Sequence, residues 1–542
     1  MVPRSSYVDG DVVMRRLRTT APTPGEVYAE YEQVIQRVER WVESQSPVVA
    51  GCENSQVVAR IVQRVVQVTN SEFTKVVLNG RSGPLGVAGS FAAGGLRIYG
   101  RTGRVAVGLR AWIDNLYGFT TWWLDTLIGL VGGCAEPSPK GASAATILME
   151  AGGGDEDSDA RLVRFCREGP IEPLRAENLI VRRRTAPRYP VPSQLNYTFR
   201  PFVYLAKRSL SRSAMCALVL THLQAPWIYL RALLQSPLNV LVGSDVSLLP
   251  IVRRLDRARL VSDLVLTMSA FGDQPLWANG IAGRHFKLHM LWYSQNCIPK
   301  MYPGDDKRPD LPAMRHMRVD VHWVWTEGFK SYLAELSGPT EIRVVGPILW
   351  YLPEATESAA GTDIRVIVFD VIPLPDGQTA FGASRNYYTL ALMRKFVTDI
   401  VRVCSDVAAE TGRGATVLIK HKRPPVASYH DFEYLDFLEA LVREKPSVRL
   451  LDHRVNLFGL LEGCHLSVSV PYTSTAFLSA AVGTPAIYYD PFAELLPMVE
   501  KNPDVYFAAG VERLNEMTRR LLDRPHGSKG GPIAGRGIEA VS

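Results

Sequence analysis

The sequence has few cysteines and no secretory signal, and each absence excludes a class of protein. Only seven of its 542 residues are cysteines, and they are far apart, odd in number and never arranged as Cys-x-x-Cys. This usage argues against a disulfide framework and a structural zinc site and predicts a reducing compartment. Residues 1–18 lack an apolar stretch. We therefore predict a cytoplasmic protein.

Several nucleotide-binding motifs are also missing. No strand-like segment is followed by Gly-x-Gly-x-x-Gly with an acidic residue about 20 positions later, which disfavours dehydrogenase chemistry. The Gly-Lys-Ser/Thr of a P-loop is absent as well. The net charge of +7, from 61 basic and 54 acidic residues, is small and widely spread. It does not support a nucleic-acid partner.

What is present is an ordinary globular composition, 46% hydrophobic and 21% charged, on a chain long enough for several cores. Apolar residues at helical spacing over residues 54–68 predict a helix, whereas residues 135–160 are rich in glycine, small and acidic residues. We predict a mostly helical region at 1–134, a flexible linker at 135–160, a helical connecting region at 161–235, Rossmann-like domains at 236–352 and 363–523, and a disordered tail at 524–542.

From residue 239 onward, short apolar segments alternate with amphipathic stretches. This alternation predicts the α/β class, with two parallel sheets covered on both faces and ligands bound beyond the carboxyl ends of the strands. The predicted strands are Asn239–Gly243, Leu264–Met268, Lys287–Ser294, Val319–Trp325 and Arg343–Gly346 in the first domain, and Arg365–Asp370, Thr416–Lys420, Val448–Leu451, Leu466–Val470 and Ala486–Tyr489 in the second.

One segment, Ser213–Leu230, is uncharged and just reaches the length of about 18 residues that a membrane-spanning helix needs. Three polar or helix-breaking residues near its centre make spanning unfavourable: His222, Gln224 and Pro226. Basic residues flank it on both sides. Two interpretations stay open, a buried helix and a helix lying peripherally against a membrane.

The densest polar cluster is Lys420, His421, Lys422 and Arg423, which follows a predicted strand. Three cations and an imidazole at a carboxyl strand end suit a phosphate or pyrophosphate. The alternative is a solvated basic turn.

A second cluster follows the next strand but one, where Thr473, Ser474 and Thr475 begin a predicted helix. The free N–H groups and positive dipole end of a helix form an anion site, to which the hydroxyl groups add donors. Helix capping alone is the alternative. Asp490 ends the following strand and is predicted to border the same pocket.

No metal site is predicted. Asp155 and Asp157 form an Asp-x-Asp pair, but they lie in an acidic, glycine-rich run that is typical of a solvated loop. His285 and His289 have helical spacing, but His289 falls in a predicted strand.

Five segments together resemble the bacterial surface-polysaccharide biosynthesis proteins named for a Pro-Phe-Thr-Ser motif. The resemblance covers roughly residues 240–510, and Tyr472 stands where that family usually has phenylalanine. The segments are LWYSQN (291–296), VFDVIP (368–373), IKHKRP (419–424), PYTSTAF (471–477) and AVGTPAIYYDP (481–491).

The resemblance implies a GT-B-like, metal-independent glycosyltransferase whose two Rossmann-type domains face a cleft, and which builds a capsule or O-antigen. It is similar to transferases that use CMP-activated sugars, in which His421 would match a His-Pro motif, although Lys422 replaces the proline, and Ser474-Thr475 a Ser-Ser/Thr motif. The substrates implied are a nucleotide-sugar donor, held by the residues of both clusters, and a glycan or lipid-linked glycan acceptor, with no tightly bound cofactor.

Deprotonation of the acceptor would need a base from the N-terminal domain. The candidates are Asp273 and Glu327, which both follow predicted strands; Asp273 is favoured because Gln274 and Trp277 beside it would suit a sugar. Two alternative functions remain, a nucleotide-sugar epimerase of related fold and a non-catalytic, membrane-associated assembly subunit.

Overall fold

The computed structural model describes residues 36, 39–45, 47–64, 101–132, 144–149, 156–183, 196–267, 274–292, 300–304, 317–336, 340–348, 363–373, 387–421, 431–452, 455, 457–497 and 504–522. These residues form two compact units. Unit 1 holds the described residues up to 292 together with 317–348, and unit 2 holds 300–304 and 363–522.

Unit 1 contains a seven-stranded sheet in which every neighbouring pair is parallel, in the order β3-β2-β1-β4-β5-β6-β7. The order reverses between β1 and β4, and this switch point is where ligands bind in open α/β sheets. The strands are β1 (Ala145–Met149), β2 (Leu179–Arg182), β3 (Asn196–Thr198), β4 (Val261–Thr267), β5 (Lys287–Leu291), β6 (Val321–Val324) and β7 (Glu341–Val344).

Three of these strands correct the predicted domain organisation. β1 lies inside the predicted linker 135–160, and β2 and β3 lie inside the predicted helical region 161–235. All five residues of β1 are buried. A five-residue apolar run between low-complexity stretches has no periodicity that marks it as a strand. The predicted strand Asn239–Gly243 is also wrong, because a 3₁₀ helix begins at Pro237 and ends at Val242.

The helices of unit 1 precede its strands and connect them along the chain. The N-terminal part is helical over residues 39–44 (α1) and 54–64 (α2). The others are α3 (Arg101–Val131), α4 (Glu156–Glu168), α5 (Pro201–Ser209), α6 (Arg212–His222), α7 (Ala225–Gln235), α8 (Gly243–Arg257), α9 (Leu276–Asn279) and α10 (Glu327–Leu336).

Unit 2 contains a six-stranded parallel sheet in the order β10-β9-β8-β11-β12-β13. Its switch point lies between β8 and β11. The predicted strands of this unit are present, and β13 was not predicted. The strands are β8 (Ile364–Asp370), β9 (Ala415–His421), β10 (Val448–Leu451), β11 (Leu466–Ser469), β12 (Ala486–Asp490) and β13 (Val505–Ala509).

The core of unit 2 forms where apolar strands meet amphipathic helices. The longest helix described in unit 2 is α11 (Leu390–Thr411). It begins where the Thr389 hydroxyl accepts a hydrogen bond from Leu392 N–H, and it ends at Gly412, whose φ of 63° favours glycine. The remaining helices are α12 (Phe432–Glu444), α13 (Leu457–Glu462), α14 (Ser474–Ala481) and α15 (Val511–Leu522). Both units therefore confirm the predicted α/β class with parallel sheets.

The uncharged segment Ser213–Leu230 lies in α6 and α7, which together span Arg212–Gln235. In the described part of the chain, this is the one helical segment long and apolar enough to cross a membrane. Only 22% of its most apolar window is buried in the protein.

Candidate functional site

Three central strands of unit 2 end at one edge of the sheet, and the end of β8 meets the end of β9 there. Asp370 and His421 are register partners. His421 Nδ1 lies 2.8 Å from Asp370 Oδ1, and the Tyr434 hydroxyl donates to Asp370 Oδ2 at 2.8 Å. All three side chains are buried. The arrangement is an acid–imidazole pair whose carboxylate is fixed by a phenol.

The hydrogen bonds set the tautomer of His421. Burial, reinforced by the charge of Asp370, raises the pKa of Tyr434 well above its usual value, so the phenol stays protonated and donates. Because a carboxylate only accepts, Nδ1 of His421 carries a hydrogen. Nε2 is buried and has no hydrogen-bond partner among the described residues. A buried polar atom without a partner is uncommon. It indicates either a bound ligand or a hydrogen bond to residues that the structure does not describe.

Lys420 lies beside His421 on β9, but successive strand residues point to opposite faces of a sheet. Burial lowers the pKa of Lys420, and the nearby charges of Asp452 and Asp370 partly oppose this effect. Its ammonium group lies 3.4 Å from the His421 carbonyl oxygen. The predicted cations Lys422 and Arg423 lie outside the described residues.

The N-terminus of α14 lies at the switch point, next to the end of β11. Thr473 occupies the N-cap position with extended backbone, but its side chain accepts no hydrogen bond from the first turn. Its hydroxyl instead donates to the Val470 carbonyl at 2.8 Å and lies 3.0 Å from Thr475 Oγ1. Thr473, Ser474 and Thr475 are partly exposed. The helix therefore presents first-turn N–H groups that its cap residue does not satisfy.

Tyr472, the residue that departs from the family motif, is a buried structural residue. Its backbone is left-handed, with φ of 65°, and its ring stacks on Phe507 with centroids 6.1 Å apart. Its hydroxyl donates to the carbonyl of Leu496. A phenylalanine would keep the ring contacts and lose the hydrogen bond to Leu496.

We expect Tyr472→Phe to lower the free energy of unfolding by about 0.5–1.5 kcal/mol, the usual net value of one hydrogen bond, and to leave ligand binding unchanged. Urea unfolding of the two proteins measures the difference. Tyr472→Ala is the contrasting variant and should cost about 3–5 kcal/mol, as for truncation of a buried aromatic ring. A loss of ligand affinity in the phenylalanine variant would contradict a purely structural role.

Asp490, predicted to border the ligand pocket, is fully buried at the end of β12. Its Oδ1 accepts from the Tyr387 hydroxyl at 2.9 Å, and its Oδ2 accepts from Leu495 N–H at 2.7 Å. Both carboxylate oxygens are therefore occupied by the protein. Asp490 holds the chain that follows β12, and its geometry gives no support to direct ligand contact.

Of the two bases predicted in unit 1, the structure describes Glu327 but not Asp273. Glu327 begins α10, just after β6; its side chain is 72% exposed and lies 3.1 Å from the Lys330 ammonium. Asp273 lies outside the described residues. It follows β4, however, which ends at the switch point of unit 1.

The geometry of the residues beside Asp273 gives no support to the prediction that they contact a sugar. Gln274 is fully buried, and its Oε1 accepts from Arg318 N–H at 2.7 Å. Trp277 is also buried and packs edge-on against Phe202. Burial of this kind depends on contacts with distant segments, which the local pattern does not contain.

One face of helix α2 binds the segment that follows Asp273. Gln56 Oε1 accepts from Asn279 at 3.3 Å, and Gln63 Oε1 lies 3.5 Å from Gln274 N. Between them, Arg60 forms a buried pair with Asp245, at 2.6 Å from Nε to Oδ2. That same Asp245 oxygen accepts from Leu276 N–H at 2.9 Å.

Asp370 and Tyr434 were not predicted as site residues, although Asp370 lies in the VFDVIP segment. The available signal was its position at a carboxyl strand end next to a strand that ends in histidine. Among the described residues, no group of three or more His, Cys, Asp or Glu side chains could hold a metal ion.

Comparisons with known proteins identify a family. A sequence model of the family described as "Polysaccharide biosynthesis PFTS motif protein" matches residues 228–518. No curated protein sequence matches the chain.

Solved structures show only distant likeness. TarM from S. aureus has 12% identity and a TM-score of 0.31, over 51% of this chain and 52% of TarM. This chain therefore spans about half the length of TarM. The UDP-GlcNAc 2-epimerase from Methanocaldococcus jannaschii has 10% identity and a TM-score of 0.37, over 71% and 94%. A glycosyltransferase from Rickettsia africae has 9% identity and a TM-score of 0.37, over 70% and 88%.

Proposed function

Because the chain belongs to the PFTS-motif family of polysaccharide biosynthesis proteins, we propose that it is a metal-independent glycosyltransferase of GT-B type. It transfers a sugar from a nucleotide-activated donor to a growing surface polysaccharide or to its lipid-linked precursor. The donor binds to unit 2, and CMP is the nucleotide that we propose to test first.

One observation supports this function most strongly: at the carboxyl edge of unit 2, near a helix N-terminus, His421 Nε2 is buried and has no hydrogen-bond partner among the described residues. β9 and β11 lie on either side of β8. Neighbouring strands are about 4.8 Å apart, so the ends of β9 and β11 are separated by about 10 Å. A single ligand lying across the end of β8 can contact both His421 and the first turn of α14.

The chemistry needs charge stabilisation on the donor side and a base on the acceptor side. The acceptor oxygen attacks the anomeric carbon, and the bond from that carbon to the donor phosphate oxygen breaks. The leaving nucleotide keeps the bonding electron pair, and His421 and the α14 N–H groups stabilise its phosphate charge. The acceptor proton passes to a carboxylate of unit 1, Asp273 or Glu327.

The Asp370–His421–Tyr434 arrangement favours catalysis over a purely structural role in assembly. A buried carboxylate that fixes the tautomer of an imidazole is the orienting device that enzymes use for a histidine acting as acid or base.

A thermal-shift panel of CMP, UDP, GDP and dTDP tests the donor site. We expect one nucleotide to stabilise the folded protein, by about 2.7 kcal/mol at a concentration 100 times its Kd. Replacing the two hydroxyls that begin α14, by Ser474→Ala with Thr475→Val, should weaken binding by roughly tenfold or more, as for hydrogen bonds to a charged group. Ser405→Ala is the matched control, because that hydroxyl bonds within its own helix at 2.9 Å.

The outcomes separate the candidate functions. Stabilisation by none of the four nucleotides would contradict the transferase proposal and favour an assembly subunit. Conversion of a bound nucleotide sugar without any acceptor would indicate an epimerase. Selective stabilisation by UDP or GDP would overturn the CMP assignment alone.

A further inference from the structure

Unit 1 exposes an unusual amount of apolar surface on two neighbouring helical segments. We name this surface the apolar ridge and define it by the exposed side chains of α3 and of the α6–α7 segment: Ile113, Tyr117, Leu124, Ile128 and Val131, and Leu220, Leu223, Trp227, Leu230 and Leu234. Leu234 is 77% exposed and Trp227 58%. Large exposed apolar patches on a protein mark sites of protein or membrane contact.

The spacing makes the α6–α7 set a continuous stripe, whereas the α3 stripe is interrupted between Tyr117 and Leu124. Leu220, Leu223, Trp227, Leu230 and Leu234 recur every three or four residues, which places them on one side of the α6–α7 segment. The opposite side packs into the protein through Leu218, Tyr229 and Ala232. With 24 residues, the segment is about 36 Å long.

A buried contact holds the two stripes side by side. Trp123 on α3 donates from Nε1 to the carbonyl of His222 at 3.2 Å, and His222 Nε2 lies 3.1 Å from the Trp123 carbonyl. The two rings also stack, with centroids 6.1 Å apart. Burial lowers the pKa of His222, so the ring stays neutral and donates to this carbonyl. The ridge is therefore one fixed surface made of α3 and the α6–α7 segment.

Positive charge lies along the α6–α7 part of the ridge, whereas α3 carries the exposed Asp114 next to Ile113. The segment Arg212–Gln235 has no acidic residue, and its two arginines, Arg212 and Arg231, are exposed. At the end of α3 lies an open cavity of about 370 Å³, whose lining includes Phe199, Arg200, Tyr204 and Lys207. Arg200 is paired there with Asp125. Exposed cations beside an apolar face match the headgroups and upper acyl chains of an anionic bilayer.

We propose that the apolar ridge of unit 1 binds the surface of an anionic membrane. Insertion as a spanning helix does not fit, because one side of the α6–α7 segment is committed to the protein and the helix is interrupted at Leu223 and Gln224, before Pro226. The ridge instead lies in the interface, with its stripes among the first acyl carbons and Arg212 and Arg231 among the phosphates. This inference goes beyond the proposed transferase activity and does not depend on it.

Vesicle co-sedimentation of the full chain tests the proposal. The protein should bind vesicles of phosphatidylethanolamine and phosphatidylglycerol (3:1) more tightly than phosphatidylcholine vesicles. Leu220→Ser with Trp227→Ser should weaken binding about 100-fold, because each lost apolar side chain is worth about tenfold. Arg212→Gln with Arg231→Gln should cost about fivefold per residue on the anionic vesicles alone.

The matched control is Phe432→Ser with Leu450→Ser, two exposed apolar residues of unit 2 that should leave sedimentation unchanged. Circular dichroism checks the fold of each variant. If the ridge variant does not fold, the unmodified chain still tests the proposal, because its binding to the anionic vesicles must weaken as salt rises from 50 to 500 mM.

Three results would overturn the proposal: equal sedimentation of the ridge variant and the control, a dimer that the ridge variant converts to a monomer, or protection of the ridge side chains from carbene labelling in the free protein. The second would assign the ridge to another copy of the chain, and the third would show that the chain itself covers it. Nucleotide binding by unit 2 is measured separately, so none of these results bears on the transferase proposal.

Discussion

His421→Ala is expected to lower kcat for sugar transfer by about 10²- to 10³-fold while the protein stays folded, the usual effect of removing one group that stabilises charge in a transition state. The side chain is small and lies at the end of a strand rather than in the middle of the core. Steady-state assays with the donor found in the nucleotide panel measure the effect, and circular dichroism and urea unfolding check the fold.

The expected loss of kcat follows from the environments of the two ring nitrogens of His421. Nδ1 is held at 2.8 Å by Asp370, so the ring cannot rotate freely. In the proposed reaction Nε2 faces the leaving phosphate, and the Asp370 carboxylate stabilises positive charge that develops on the ring. A surface histidine would lose orientational freedom on binding and contribute less.

Three variants separate this role from general destabilisation. Asp370→Asn should also lower kcat, because an amide no longer imposes the Nδ1–H tautomer, and it should change the pH profile of kcat. Tyr434→Phe keeps the Asp370–His421 contact and should mainly affect stability, by about 1 kcal/mol. His465→Ala, at the amino edge of the same sheet, should leave kcat unchanged. Normal turnover by the His421 variant would refute the site assignment.

The sequence predicted five of the six strands of unit 2, because each of the five is a mostly apolar run with helical patterning beside it; β13 was not predicted. β8 is such a run, and all but one of its residues are buried. β1 is equally buried, yet the sequence predicts a linker there, because glycine-rich and acidic stretches surround its five residues. The sequence around β1 has no such helical patterning on both sides. Without that patterning, a buried strand cannot be distinguished from other short apolar segments.

The site was predictable only as far as its motifs extend. His421 and Ser474 could be named because strand ends and helix starts are visible in the sequence. Asp370 and Tyr434 could not, because their contacts join residues that are 51 and 64 positions apart. The same limit explains Gln274, which looked available for a sugar but is bonded to Arg318, 44 positions away.

Arg60→Ala is expected to lower the free energy of unfolding of unit 1 by about 3 kcal/mol, because the buried charge of Asp245 loses its closest cation and keeps the longer pair with Arg64, at 3.8 Å. Arg60 is 1% exposed, and its guanidinium makes two hydrogen bonds to Asp245, at 2.6 and 3.2 Å. Arg40→Ala, at an exposed position of α1, is the control and should change stability by less than about 0.5 kcal/mol. Urea unfolding followed by tryptophan fluorescence measures the difference.

The same substitution tests what the N-terminal helices do for the proposed reaction. Gln56, Arg60 and Gln63 lie on one face of α2 and contact Asn279, Asp245 and Gln274. Asp245 in turn holds Leu276, three positions after the proposed base Asp273. Arg60→Met with Asp245→Leu removes both charges, so it should recover part of the lost stability, although Leu276 N–H loses its acceptor. If α2 positions the base, this double variant will fold but will transfer sugar slowly, and donor binding by unit 2 will be unchanged. Full recovery of kcat would show that α2 only supports the fold.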